Sequence, residues 1–343
     1  MCNMKCEYCF ADRTRPNRDD PKTLIRTIRS LVSLGVITPR PFVTLTGGEP
    51  TLRPFLISEI FSLFNKYNIS PTYHIQTNGY SLDNLKKILL NVPIKRVTIS
   101  MDGPPEVHDS LRKDPNGNPT YERVHQTAKW CITLYRHNKL DSLVVQPTIT
   151  KYSSPLSETL LHLVELGFNV IAPSIVFRED NTYGMKLSKL LKEYLKFHYY
   201  VLDSLTSPTP FIDSITLTAL KKILFPGTIP NRCKAGEQII GLSSSGEVYP
   251  CSTLAGMGCN KIYSPMTDST EKIVKKIQEF SLHTKSSSFC LVDAFFEREN
   301  TTKQYPTLIE KIEKSLKVYL TNLKTNELQI FENNLRRLLG VCI

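Results

Sequence analysis

Apolar residues recur at three- and four-residue spacing at 24–34, 55–64, 82–90, 124–134 and 156–166, and each stretch predicts an amphipathic helix. Short β-rich runs lie between them, at 42–45, 72–75, 97–101, 143–150 and 170–176. Strand and helix thus alternate over 21–176 with brief connections. That order predicts right-handed parallel β/α units, with ligands gathered at the carboxyl ends of the strands. The strand runs are short and apolar, which predicts a sheet buried on both faces.

The second half reads differently. A long helical stretch covers about 184–205, and proline-rich loops at 207–210 and 226–230 interrupt the chain. A Cys- and Gly-containing segment predicts a hairpin turning at Ser243 to Gly246. The tail at 308–339 is helix-like and lysine-rich, with pairs such as Glu310 and Lys314 at the spacing of a surface helix. No fixed-period repeat or low-complexity tract is present, and the domain boundary falls between 177 and 231.

Composition narrows the class without naming the chemistry. Hydrophobic residues make up 41% and charged residues 22% of 343, which is globular rather than disordered. Length allows a sizeable core, so the nine cysteines need not staple a tiny fold. No run approaches the roughly 18 apolar residues of a membrane span, and no signal-peptide pattern opens the chain. The simplest expectation is a cytoplasmic protein with reduced thiols, in which clustered cysteines bind metal. Lys and Arg number 43 against 32 Asp and Glu, a net charge of +11. That balance suits an acidic partner, whether nucleic acid, nucleotide or acidic peptide, and equally suits a solvated basic surface.

The sharpest signal is Cys2, Cys6 and Cys9, a C-x-x-x-C-x-x-C run in the first nine residues. Three thiolates so close in sequence can each take one iron of a [4Fe–4S] cube, whose usual complement is four cysteines, leaving one iron open. Structural zinc is the rival, but it also needs a fourth ligand, and no nearby histidine supplies one.

This run, Met1-Cys-Asn-Met-Lys-Cys-Glu-Tyr-Cys-Phe10, resembles the cluster loop of the radical SAM enzymes, with an aromatic residue before the third cysteine. Thr46-Gly-Gly-Glu-Pro50 follows a predicted strand and resembles that family's Gly-Gly-Glu-Pro motif. Val97-Thr-Ile-Ser-Met-Asp-Gly103, continuing to His108-Asp-Ser-Leu-Arg112, resembles the SAM-contacting region of the SPASM branch. The resemblance covers roughly 1–180 well and 231–262 in part. It implies an α/β fold, a partial (β/α) barrel of the radical SAM type with a small carboxyl-terminal SPASM- or Twitch-like extension. The expected organisation is a core at 1–180, a helical linker at 181–230, and the extension with terminal helices at 231–343.

The resemblance also implies roles. Cys2, Cys6 and Cys9 hold a [4Fe–4S] cluster whose open iron binds S-adenosylmethionine (SAM). A one-electron donor such as ferredoxin or flavodoxin reduces the cluster. SAM then breaks to methionine and a 5′-deoxyadenosyl radical that takes hydrogen from substrate, so the cofactors carry the hard step. Gly47 and Gly48 let backbone pass close to the ligand, and Glu49, ahead of Pro50, meets the methionyl ammonium. Ser100 and Arg112 hold the SAM carboxylate or ribose, Tyr8 lies beside adenine, and Asn78 stands at another strand end. Asp102 and Gly103 shape a turn, which His108 and Asp109 orient. No catalytic acid or base is identified. In the family a barrel strand precedes the cysteine loop, whereas Cys2 here follows the first residue directly, which leads us to expect residues upstream.

Cys233, Gly246 and Cys251 are spaced as in the opening of a SPASM or Twitch extension. The dense downstream cysteines of a full SPASM domain are missing. A single auxiliary cluster on Cys233, Cys251 and Cys290 is the Twitch-like expectation, beside a degenerate extension that binds no metal. Cys131 reads as a core residue. The resemblance points to a peptide or protein substrate, with a nucleotide such as GTP as the alternative. A nucleic-acid-binding iron–sulfur protein is the reading that intact SAM motifs disfavour.

Overall fold

The computed structural model describes residues 1–11, 20–176, 182–225, 234–258, 261–265, 268–269, 272–284 and 299–342. Helix α1 (Pro21–Ser33) shows how local sequence sets an element. Asp20 caps it by accepting from the Thr23 N–H at 3.0 Å, Pro21 opens it, and Leu24, Ile25, Ile28 and Leu31 form its buried stripe. Four parallel strands follow in order, β1 (Phe42–Leu45), β2 (Thr72–Thr77), β3 (Arg96–Ile99) and β4 (Ser142–Val145). They alternate with helices α2 (Pro54–Lys66), α3 (Leu82–Asn91), α4 (Pro105–Leu111) and α5 (Tyr121–Arg136).

The run expected at 143–150 is two strands, β4 and β5 (Thr148–Ile149). The run at 170–176 likewise divides into β6 (Val170–Ile171) and β7 (Ser174–Ile175). Pro147 and Pro173 are the reason. Proline brings no ladder N–H, and the pairing of Thr148 with Ser174 puts the two prolines side by side, so both strands break at one level.

The segment expected as a helical linker instead continues the barrel. Between helix α7 (Leu187–Leu205) and helix α8 (Ser214–Leu224), strand β8 (Ile212–Asp213) pairs in parallel with β6, giving one six-stranded sheet in the order β1-β2-β3-β4-β6-β8. Helix α6 (Leu156–Glu165) links β5 to β6.

The sheet is not apolar on both faces. Tyr73 and Ile75 of β2, Val97 and Ile99 of β3, and Leu143 and Val145 of β4 are buried and join the helix stripes in one core. Their alternate neighbours His74, Gln76 and Arg96 are polar and half-buried on the opposite face. There Thr98 joins His74 at 2.8 Å, Gln76 donates to Gln146, and Gln146 donates to Ser174 at 2.9 Å. Burial, reinforced by the Arg96 charge, brings His74 down to about 4, so it works as a neutral imidazole in this row.

The hairpin is present as β9 (Gly241–Leu242) and β10 (Val248–Tyr249), paired antiparallel. At its turn Gly246 has φ +78°, and a Cβ there would lie 2.8 Å from Thr27 Oγ1, so the tip sits directly on α1. Helix α9 (Ser252–Met257) follows, then α10 (Lys272–Thr284). The tail forms two helices, α11 (Glu299–Asn322) and α12 (Thr325–Cys342). They return to the barrel core through Leu308, Ile312, Leu316, Phe331, Leu335 and Leu338. Asn334 donates to the carbonyls of Leu205 and Ser207, pinning α12 to the chain that leads into β8. Among the described residues no helix is long and apolar enough to cross a membrane.

Candidate active site

The cysteine loop lies over the carboxyl ends of the first strands and is tied down from three sides. Lys5 and Glu7 donate their N–H groups to the carbonyls of Lys113 at 2.6 Å and Leu111 at 2.9 Å. The Glu49 N–H donates to the Met1 carbonyl at 3.0 Å. Asn78, just past β2, donates from Nδ2 to Asn3 Oδ1 at 2.8 Å and to Cys2 Sγ at 3.6 Å. Gly48 is required by this approach: a Cβ would stand 2.1 Å from the Met1 carbonyl oxygen, and the obstacle is backbone. Gly47 has φ +127° with open space where a side chain would be.

Glu49 is the second anchor. Its carboxylate is buried, and Oε1 accepts from Thr51 N at 3.0 Å, Thr51 Oγ1 at 2.6 Å and Thr77 Oγ1 at 2.7 Å. Oε2 accepts from the Asn78 N–H at 2.7 Å. It thereby caps the short 3₁₀ turn that begins at Pro50 and joins it to the end of β2. Oε1 is saturated, while Oε2 keeps a lone pair for a ligand ammonium. Ser100, one residue past β3, is fixed by its N–H to the Thr77 carbonyl at 2.9 Å.

Arg112 and Tyr8, expected to face SAM, are engaged by the protein. Both are buried. Arg112 Nε donates to Asp102 Oδ2 at 2.9 Å, its Nη1 lies 3.9 Å from Cys6 Sγ, and its guanidinium sits 5.4 Å from the centre of the Tyr8 ring. The Tyr8 hydroxyl donates to the same Asp102 oxygen at 2.5 Å. A buried guanidinium without a counterion would be costly, and the Asp102 carboxylate supplies that counterion.

Asp102 is therefore the residue that sequence reasoning undervalued. It was expected to shape a turn. In fact it is 2% exposed, and its Oδ1 also accepts from the Thr148 N–H at 2.8 Å, so one carboxylate joins the cysteine loop, the end of α4 and β5. Three partners 94, 10 and 46 residues away leave no local trace. His108 and Asp109 do orient this region. The Asp102 N–H donates to His108 Nδ1 at 3.4 Å, His108 Nε2 meets Thr120 Oγ1 at 3.2 Å, and Asp109 accepts from the N–H groups of Thr120 and Tyr121.

Cys6 is the thiol this arrangement acts on. Burial pushes it up to about 11, against the opposing pull of Arg112, and Cys2 and Cys9 are both close enough to raise it further. Metal binding must displace that proton. Among the described residues no three His, Cys, Asp or Glu side chains converge on a single ion. A cube asks for a wider triangle, one thiolate per iron, and three soft sulfur donors on one clamped loop fit it.

The back cysteines are a different matter. Cys233 and Cys290 lie outside the described residues. Cys251 is the cap of α9, its Sγ accepting from the Leu254 N–H at 3.5 Å. That helix abuts the cysteine loop: a Cβ at Gly256 would come within 3.0 Å of the Phe10 ring.

Residues 1–152 match the Radical SAM superfamily. Those residues form a radical SAM domain. A cysteine-type anaerobic sulfatase-maturating enzyme of Clostridium perfringens is 26% identical over 271 residues, 73% of this chain and 71% of the relative. A serine-type anaerobic sulfatase-maturating enzyme of Bacteroides thetaiotaomicron is 29% identical over 37% of this chain and 33% of its own length. A GTP 3′,8-cyclase of Helicobacter pylori is 28% identical over 56% of this chain and 57% of its own length. The solved structure of native anSMEcpe with bound AdoMet and Kp18Cys peptide shares the fold, with TM-score 0.67 and 20% identity over 83% of this chain and 80% of that one. A radical SAM domain implies a [4Fe–4S] cluster and SAM, and when bound the cluster would supply the electron for SAM cleavage.

Proposed function

We propose that this radical SAM enzyme modifies a side chain of a peptide or protein. The observation that carries the reading is the reach of the similarity to the sulfatase-maturating enzyme of C. perfringens. It extends over 73% of the chain, against 56% for the GTP 3′,8-cyclase, and so takes in more of the chain beyond the radical SAM match at 1–152. The fold neighbour with AdoMet and a peptide bound together agrees with it.

In this reading the chain's own residues divide the work. Cys2, Cys6 and Cys9 hold the cluster, Glu49 Oε2 takes the methionyl ammonium, and Ser100 lies at the adjoining strand end for the carboxylate or ribose. The substrate lies on the inner face, where the Gln76 and Gln146 amides offer both donors and acceptors to peptide groups. The extension walls the opening, with Cys233, Cys251 and Cys290 as its auxiliary ligand set. GTP is the second reading, favoured by the cyclase relatives.

The test offers the reduced enzyme deuterium-labelled GTP and, separately, a mixture of cysteine- and serine-containing peptides made in deuterated form. Deuterium transferred to 5′-deoxyadenosine from peptide, with a mass change on the peptide, is the expected result. Transfer from GTP alone reverses the assignment.

A further inference from the structure

We propose that Arg112, held by Asp102, is a positioning residue that raises the reduction potential of the cluster by donating to the Cys6 sulfur. The geometry is that of a fixed cation. Arg112 is 6% exposed, and one N–H is committed to Asp102 at 2.9 Å while Nη1 stands 3.9 Å from Cys6 Sγ, within the reach of a hydrogen bond to sulfur. Its backbone is held as well. The Arg112 N–H donates to the His108 carbonyl at 2.9 Å, and its carbonyl accepts from Thr120 Oγ1 at 2.6 Å. The Tyr8 ring lies against the guanidinium, so neither end of the side chain can swing away.

The three cysteines are not served alike. Cys2 receives a neutral donor, the Asn78 amide at 3.6 Å, and Cys6 receives a cationic one. Reduction adds one electron to the cluster and changes no bond at Arg112. A positive charge and a donor at a ligating sulfur favour the more negative, reduced state, and hydrogen bonds to sulfur are among the levers that set cluster potentials. Asp102 does not cancel this. Its carboxylate accepts from Tyr8, Arg112 and Thr148, and it stands behind the guanidinium, on the Nε side, while Nη1 reaches the sulfur.

The experiment is an anaerobic potentiometric titration of reconstituted protein, followed by electron paramagnetic resonance (EPR) in the absence of SAM. Iron content and circular dichroism establish that each variant is loaded and folded. In Arg112→Gln the equilibrium for reduction should weaken about tenfold, a downward shift of about 59 mV for a one-electron couple. Arg112→Lys keeps the charge and should stay closer to the parent. Asp102→Asn removes a negative charge and should shift the potential upward, opposite to Arg112→Gln. Should Arg112→Gln fail to keep its cluster, the lysine and asparagine variants carry the test. An unmoved potential in Arg112→Gln overturns the proposal, and so does weakened SAM affinity as its sole effect, which would make the guanidinium simply a SAM ligand. Shifts of the same sign in Arg112→Gln and Asp102→Asn also overturn it, because they would report a loosened loop.

Discussion

Replacing Cys6 by alanine should abolish SAM cleavage while leaving the fold intact. Cys6 is half-buried where Cys2 is exposed, and it is the cluster-loop thiol that a fixed cation approaches. Arg112 stands beside it, and Lys5 and Glu7 on either side are bonded by their backbones to 113 and 111. Those backbone bonds do not depend on the sulfur, so the loop keeps its course without it. Loss of partners behind a metal ligand typically costs about 10- to 100-fold, and loss of the ligand itself should exceed that. With dithionite as reductant, 5′-deoxyadenosine should fall more than about 100-fold, to the level without enzyme, and iron content should fall with it. Undiminished 5′-deoxyadenosine would remove Cys6 from the cluster.

The second large effect is on stability. Asp102→Ala strands the Arg112 guanidinium in the interior and leaves the Tyr8 hydroxyl and the Thr148 N–H without their acceptor. The ion pair has side chains 7% and 3% exposed. Breaking a buried pair by removing one partner costs roughly 3–5 kcal/mol. Against a usual margin of about 5–15 kcal/mol, that is a large share of the total. Denaturant titration of the apo protein should show it directly. Glu310→Ala is the control, since its 3.0 Å pair with Lys314 is exposed on both sides and is worth about 0.3–0.5 kcal/mol. A cost below about 1 kcal/mol for Asp102→Ala would mean that the carboxylate is not the hub described here.

Much of the barrel could be read in advance because its signals are local. Five of the six early helices, all but α4, follow their apolar stripes, and β1 to β3 follow their β-rich runs, within a few residues at each end. The loop at Cys2 to Cys9, Gly-Gly-Glu-Pro and the region from Ser100 to Arg112 likewise sit at neighbouring strand ends. What escaped was decided by tertiary structure. Strand β8 is two residues long and is wedged between a proline-bearing loop and the start of α8, so nothing in its sequence announces an edge of the main sheet. The paired breaks at Pro147 and Pro173 emerge only when the two strands lie side by side.

The site divides in the same way. Glu49 was legible as a carboxylate near a ligand, but its four protein donors were not, because Thr77 and Asn78 come from another strand. Asp102 looked like a turn residue, and its partners are spread from Tyr8 to Thr148. A faint sign was available for the inner wall. His74 and Gln76 flank Ile75, and Arg96 and Thr98 flank Val97, the alternation of a sheet with one polar face. Cys251 adds a contact that its spacing did not announce, since in the described residues its thiol caps α9.

The claim on which the rest depends is that three cysteines leave one iron of the cluster open to SAM. EPR of the dithionite-reduced, reconstituted chain, recorded before and after addition of SAM, addresses it in a single comparison. A SAM molecule that takes the fourth site should change the g-values of the reduced cluster, because an iron gains new ligands. A spectrum that stays the same at saturating SAM would contradict the account.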